Sequence, residues 1–197
     1  IEPLACAIHG VERADIKLGD TVVITGAGAI GLFMLQVVLL KHPRLVVVSD
    51  PDEHRLQLAK DLGAEVTVNP KKEDLVSRVK DLTSGIGSDV VLEASGHPKA
   101  VQQAIDMLRR RGRLMEFGVF AEKTCIDFSI ISDVKELEIV GGHLGAYTYP
   151  LAIEYLTQGL VKTEKIITHN FPLKDWREAI ETSEKGLDDA IKITMSP

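Results

Sequence analysis

The chain has 197 residues, 23 Lys plus Arg against 29 Asp plus Glu, and a formal net charge of −6. With 45% hydrophobic and 26% charged residues, it has the composition of an ordinary globular protein able to bury a core without disulfide or metal staples. The acidic balance speaks against a nucleic-acid surface, which requires clustered Lys and Arg.

Residues Glu2 to Arg13 read as a lead-in helix. Thr21 to Thr25 (TVVIT) is a β-branched run between turn residues, and Leu45 to Ser49 (LVVVS) repeats the pattern. Leu56, Ala59 and Leu62 form a helical stripe with Gly63 just beyond it, where glycine favours a helix end. Leu75, Val76, Val79 and Leu82 form a second stripe, and Asp89 to Glu93 (DVVLE) a further strand. Pro98 opens a helix carrying Val101, Ala104, Ile105 and Leu108 at i, i+3, i+4, i+7. The basic cluster Arg109, Arg110, Arg111 and Arg113 reads as that helix's end, where cations meet the negative pole of the dipole. Gly112 to Phe117 and Leu137 to Val140 are predicted strands. Beyond Pro150 follow a helix (Leu151 to Gln158), a strand (Lys165 to Asn170), a helix (Leu173 to Lys185) and a strand (Ala190 to Met195).

The strands are too apolar to be half-exposed, which suits a parallel sheet buried on both faces. Alternating strand and helix with right-handed crossovers predicts an α/β, doubly wound parallel sheet. The expected organisation is a lead-in helix over 1–20, a dinucleotide-binding domain over 21–145, and a C-terminal α/β segment over 146–197 that packs on another domain.

The most informative segment is Thr25-Gly26-Ala27-Gly28-Ala29-Ile30-Gly31, with a GxGxxG spacing at Gly26, Gly28 and Gly31. The first glycine permits the tight turn out of the strand. The second lets the backbone approach a pyrophosphate, and the third lets the helix pack on the strand. The amide pole of that helix then faces the phosphates. The motif follows a strand, opens a helix, and is answered by Asp50 at the end of the next strand, 19 positions after Gly31. A carboxylate there accepts hydrogen bonds from the ribose hydroxyls of NAD and repels the 2′-phosphate of NADP, with Pro51 offering no cation in exchange. Arg55, one helical turn on, stacks on adenine or covers the ribose. Ala94-Ser95-Gly96-His97, Gly118-Val119-Phe120 and the Gly141-Gly142-His143-Leu144-Gly145 run follow later strands at the same sheet edge, where open α/β sheets bind ligands.

No catalytic or metal-site motif is visible. His9, His42, His54, His97, His143 and His169 show no metal-ligand spacing, and each reads as a surface or packed residue, His143 least so because of its loop. Cys6 and Cys125 form no CxxC, which points to a reducing, cytoplasmic setting. The longest apolar stretch, Ala29 to Leu40, contains Gln36 and falls short of the ~20 residues of a membrane span. No signal peptide is visible, and the chain, starting at Ile1, reads as part of a longer protein.

Together, IEPLACAIHG, LGDTVVITGAGAIGL, VVVSDPDEHRLQLAKDLGA, DVVLEASG and ITHNFPLKDWREAIETSEKG resemble the medium-chain zinc-dependent alcohol and polyol dehydrogenases, nearest the sorbitol dehydrogenase group. The resemblance implies a Rossmann coenzyme domain plus a C-terminal return, with the catalytic domain and its zinc ligands outside this chain. That zinc would polarise the alcohol oxygen while hydride leaves for NAD. It further implies that Glu2 approaches the zinc or its water. The NAD contacts it implies are Gly28, Ile30, Asp50, Arg55, the Phe117 to Val119 loop and the Gly142 to Leu144 loop; Gly26, Ala29, Gly31, Ala94 and Ser95 complete the expected cofactor site. Sorbitol-type enzymes carry an Arg-Tyr pair where this chain has Leu144-Gly145, so a different, shorter polyol or secondary alcohol is expected. A homodimer or homotetramer, paired through the sixth strand and the segment after Phe120, is implied too. Two other readings share these features: a non-catalytic NAD-binding or interaction module, and a methyltransferase, which also uses a glycine loop and an acid.

Overall fold

The computed structural model describes all 197 residues, which divide into two compact units, Ile1–Glu154 and Tyr155–Pro197. The larger unit is built on a six-stranded, wholly parallel sheet. Its strands are β1 (Thr21–Thr25), β2 (Leu45–Ser49), β3 (Val66–Val68), β4 (Ser88–Glu93), β5 (Leu108–Glu116) and β6 (Glu138–Gly141), in the spatial order β3-β2-β1-β4-β5-β6. Its helices are α1 (Glu2–Ala14), α2 (Ala29–Leu39), α3 (Glu53–Asp61), α4 (Leu75–Leu82) and α5 (Pro98–Met107). This is the doubly wound arrangement, and its topological switch point lies between β1 and β4.

Both faces of the sheet's centre are covered, which is why β1 and β2 are buried along nearly their whole length. Val23, Val47, Val91 and Leu114 face α4 and α5, where Leu75, Val79, Ala104 and Ile105 close one core layer. The alternate residues face the other way: Ile24 lies against the start of α2, and Met115 and Phe117 reach toward Gly10 of α1 beside Met34 of α2. Alternation therefore puts Thr25, Glu93 and Glu116, which are register partners across β1, β4 and β5, in one row on the α5 face at the carboxyl edge.

Caps set the helix boundaries. Asp52 accepts the amides of His54 and Arg55 at the start of α3, and Asp74 that of Ser77 at the start of α4. Gly63, just past α3, takes φ +110. At the far end of α5 the half-buried Lys135 ammonium donates to the carbonyls of Ile105, Asp106 and Leu108 at 2.7–2.9 Å. Those carbonyls have no partner within the helix, and a cation there also meets the negative pole.

Several expectations need correction. The arginine cluster is not a helix end: α5 stops at Met107, and Arg109, Arg110, Arg111 and Arg113 lie on β5, which begins at Leu108 rather than Gly112. There Arg109 Nε donates to Asp89 at 2.5 Å, and Arg113 bridges Asp15 at 3.2 Å and pairs with Glu138. Strand register, with an irregularity opposite Ser88–Val90 and Arg111 at φ +57, places these cations beside carboxylates. The short strand β3 was not assigned from sequence, because three residues carry too little pattern to read. In the C-terminal region, α6 (Tyr149–Thr157) begins before Pro150 rather than after it, as the first turn of a helix needs no proline N–H.

The smaller unit holds two parallel strands, β7 (Ile167–Pro172) and β8 (Lys192–Ser196), with α7 (Trp176–Lys185) contacting both. A 3-10 turn, Leu173–Asp175, precedes α7, so the helix starts three residues later than its apolar pattern suggested. Ala179 is buried, whereas Trp176 and Ile180 are nearly half exposed. No helix of the protein is long and apolar enough to cross a membrane.

Candidate nucleotide-binding site

A crevice of about 580 Å³ opens at the carboxyl edge of the sheet, around the switch point. Its floor is the turn after β1. Gly26 takes φ +97, and a Cβ there would press within 3.0 Å of the Ala94 carbonyl. A Cβ on Gly31 would collide with the Gly26 carbonyl oxygen, so only glycine lets α2 start this close to β1. At Gly28 a Cβ would meet nothing within 4 Å. Gly28 is the N-cap of α2, no side chain caps that helix, and no acidic residue lies in its first turn. The amide pole formed by Ala29, Ile30 and Gly31 is thus uncapped by any side chain, with open space before it, the arrangement that attracts an anion.

Asp50, buried at the end of β2, lines the same crevice. Its Oδ2 accepts the Ala27 amide at 2.7 Å and its Oδ1 the Asp52 amide at 2.9 Å. The carboxylate thus ties the glycine turn to the start of α3. A carboxylate oxygen has two lone-pair sites, so each keeps one for a ligand hydroxyl. Arg55 lines the crevice, as do Ala94 and Ser95 from the turn after β4. Gly26, Gly28, Asp50, Arg55, Ala94 and Ser95 are therefore brought to one cavity.

Sequence reasoning missed part of the wall: Lys71, Lys99 and Gln103 line the crevice, as does His97 from the loop expected at this edge, although its side chain reads from sequence as a surface or packed group. Lys71 follows β3, the strand too short to recognise, so nothing in the sequence placed it at this edge. His97 caps α5, its Nδ1 accepting the Lys99 amide at 3.2 Å. With Arg55, the two lysines make the crevice wall cationic, which favours a phosphate-bearing ligand.

The other predicted residues lie outside this cavity. Phe117, Gly118 and Val119 follow β5; the ring of Phe117 and the methyl of Met115 occupy the space a Cβ on Gly142 would need, so the Phe117 and Gly142 loops meet. His143 and Leu144 are exposed, Leu144 at φ +53. Gly145 abuts the Ala5 backbone of α1, and Thr148 Oγ1 donates to the Ala5 carbonyl at 2.6 Å. Glu2, in the first turn of α1, accepts from Cys6 Sγ at 3.1 Å. Burial and the Glu2 carboxylate push the Cys6 thiol up to about 12, which makes it a packing group rather than a thiolate.

Two carboxyl groups lie side by side under the turns after β4 and β5. Glu93 is wholly buried and accepts from Ser95 and Gly96. Beside it, Glu116 has a buried Oε1 with no hydrogen-bond partner. Burial first, and the neighbouring Glu93 second, raise the Glu116 carboxyl above the usual carboxylate range. No group of three or more His, Cys, Asp or Glu side chains converges to hold a metal ion.

Comparison with known proteins agrees with this geometry. The family model described as zinc-binding dehydrogenase matches residues 29–158. An erythritol/L-threitol dehydrogenase of Mycolicibacterium smegmatis is 41% identical over 196 residues, covering all of this chain and 54% of that protein. Among solved structures, an alcohol dehydrogenase of Escherichia coli CFT073 complexed with NADH superposes with a TM-score of 0.92 at 29% identity, over all of this chain and 58% of that one. A Sinorhizobium meliloti structure described as a zinc-binding dehydrogenase, bound to NADP, gives a TM-score of 0.93 at 29% identity, again over the whole chain and 58% of its own. The chain spans about half the length of the curated relatives it matches. With a doubly wound sheet, an uncapped glycine turn opposite an acid, and a family model matched over most of its length, the chain belongs to the zinc-binding dehydrogenase family.

Proposed function

We propose that this chain is the coenzyme-binding part of an NAD-dependent alcohol or polyol dehydrogenase, which transfers hydride between a secondary alcohol or polyol and NAD. The observation that carries the reading is the open, uncapped start of α2 at Gly28 facing the buried Asp50 across one crevice. The pyrophosphate rests on the amides of Ala29, Ile30 and Gly31. The adenosine ribose donates to the free lone pairs of Asp50, and Arg55 covers it. NAD is preferred because a 2′-phosphate would meet the Asp50 carboxylate. Relatives are named for small polyols such as erythritol and L-threitol, which supports the substrate class.

The nicotinamide half extends from Ser95 toward the loops at Phe117–Val119 and Gly142–Leu144, whose contact with each other supports a common role. Glu2 stands toward the reacting alcohol. The zinc for which the family is named takes its ligands from outside these residues, and residues 146–197 return to the domain that supplies them. The chain alone binds coenzyme without turning over alcohol. The exposed edge strand β6 offers the pairing surface of a homodimer or homotetramer, and a cytoplasmic location fits its unpaired cysteines.

Isothermal titration with NADH and NADPH tests the reading, on the wild type and on Asp50→Ala. NADH should bind more tightly to the wild type, and the substitution should narrow the gap. Absence of binding, or tighter binding of NADPH, would overturn it.

A further inference from the structure

Glu93 plays no part in the reading above, yet it is bonded to residues at the carboxyl ends of β1, β4 and β5. It ends β4 at 0% exposure, on the α5 face of the sheet. Its Oε1 accepts the Ser95 amide at 2.8 Å, the Ser95 hydroxyl, and the Gly96 amide at 3.1 Å, and Oε2 lies 3.2 Å from the same amide. Thr25, the last residue before the glycine turn, offers its hydroxyl at 3.4 Å. The Glu93 carbonyl accepts the amides of Phe117 and Gly118 at 2.9 and 3.0 Å. One residue is thus bonded to the ends or turns of three strands.

The turns also lean on one another through backbone. A Cβ on Gly118 would strike Glu93 Oε2 and the Gly96 amide, and one on Gly96 would strike the Val119 carbonyl. Gly26 presses on Ala94 in the same way. From the glycine turn to the Val119 loop the backbone is closely stacked, and the Glu93 carboxyl group is bonded to Thr25, Ser95 and Gly96 within that stack.

We propose that Glu93 is a positioning residue for the coenzyme: it sets the spacing between the glycine turn, which takes the pyrophosphate, and the Ser95–Gly96 and Phe117–Val119 loops, which take the nicotinamide half. The proposal rests on the dinucleotide reading. Its physical basis is pre-organisation. Loops held by buried bonds need not be ordered when the ligand binds, and a displaced loop costs affinity without any lost contact to the ligand. Glutamine is the informative replacement, because its NH₂ in place of Oε2 would set a donor against the Gly96 amide, 3.2 Å away.

The test compares 5′-AMP, which reaches only the adenosine end, with NADH, which spans all three turns, by calorimetric titration of the full chain. Glu93→Gln should weaken 5′-AMP no more than about threefold and NADH at least about tenfold, a difference near 1.4 kcal/mol per decade. Glu93→Asp, which keeps a carboxyl group but withdraws it from the Ser95 and Gly96 amides, should give the same split if Glu93→Gln fails to fold. Equal losses for both ligands, or none for NADH, would overturn the positioning role. A wild type that binds 5′-AMP but not NADH would also overturn it, whereas a wild type that binds neither would overturn the dinucleotide reading itself.

Discussion

Two strand-to-helix turns stand at the same sheet edge and are built differently. Each has a glycine in the left-handed region, Gly26 at φ +97 directly after β1 and Gly96 at φ +66 in the turn after β4. The turn from β4 into α5 binds its own amides: Ser95 Oγ accepts the His97 amide at 3.1 Å, and the His97 ring accepts that of Lys99. The turn from β1 into α2 has Gly28 at the capping position and no side chain to satisfy the helix pole. One turn is complete without a ligand, and the other presents unsatisfied donors to a cavity. The difference between a structural and a binding helix start is therefore one of capping chemistry rather than of backbone shape.

Substitutions can break or sharpen that contrast. The largest effect is expected at Gly31. A methyl there collides with the Gly26 carbonyl oxygen, which is backbone and cannot yield, so Gly31→Ala should cost about 3 kcal/mol or more and abolish NADH binding. Calorimetric melting checks the first part. Gly28→Ala is the matched control: its methyl enters open space at φ −72, so stability should stay within about 0.5 kcal/mol. NADH affinity should still fall at least about tenfold, because the methyl occupies the phosphate position. Equal melting temperatures with unchanged NADH binding would show that the open pole is not the phosphate site.

His97→Ala should do the reverse of Gly28→Ala. Removing a side-chain cap costs about 1 kcal/mol, seen as a fall of ~2–4 °C in Tm, with a smaller effect on coenzyme affinity. The smallest effect, and the one with a pH signature, belongs to Glu116. Its native carboxyl is held above the ordinary range by burial and by Glu93, so the folded state favours the proton. The stability this gives is complete below the ordinary carboxylate range and is lost as pH rises through the raised value. Glu116→Gln should therefore match the wild type near pH 4 and exceed it by about 1 kcal/mol at pH 8, where the wild type keeps a buried, unpartnered charge. Urea midpoints at the two pH values check the sign; a variant less stable at pH 8 would refute it.

Much of the fold was legible from local pattern. Apolar strands such as TVVIT and LVVVS, the stripes of α3, α4 and α5, and the GxGxxG run with Asp50 after it follow from side-chain period and glycine chemistry, which act within a few residues of chain. The glycine turn and its acid could be paired in advance because the βαβ crossover returns the second strand beside the first. Long-range register could not be read. It moved the arginine cluster from a helix end to β5 beside Asp89 and Glu138, brought Lys71 to the crevice from behind a three-residue strand, and set Glu93 beside Glu116 on one face. A strand's neighbours across the sheet depend on which hydrophobic faces can be buried together, and no local window of sequence carries that information.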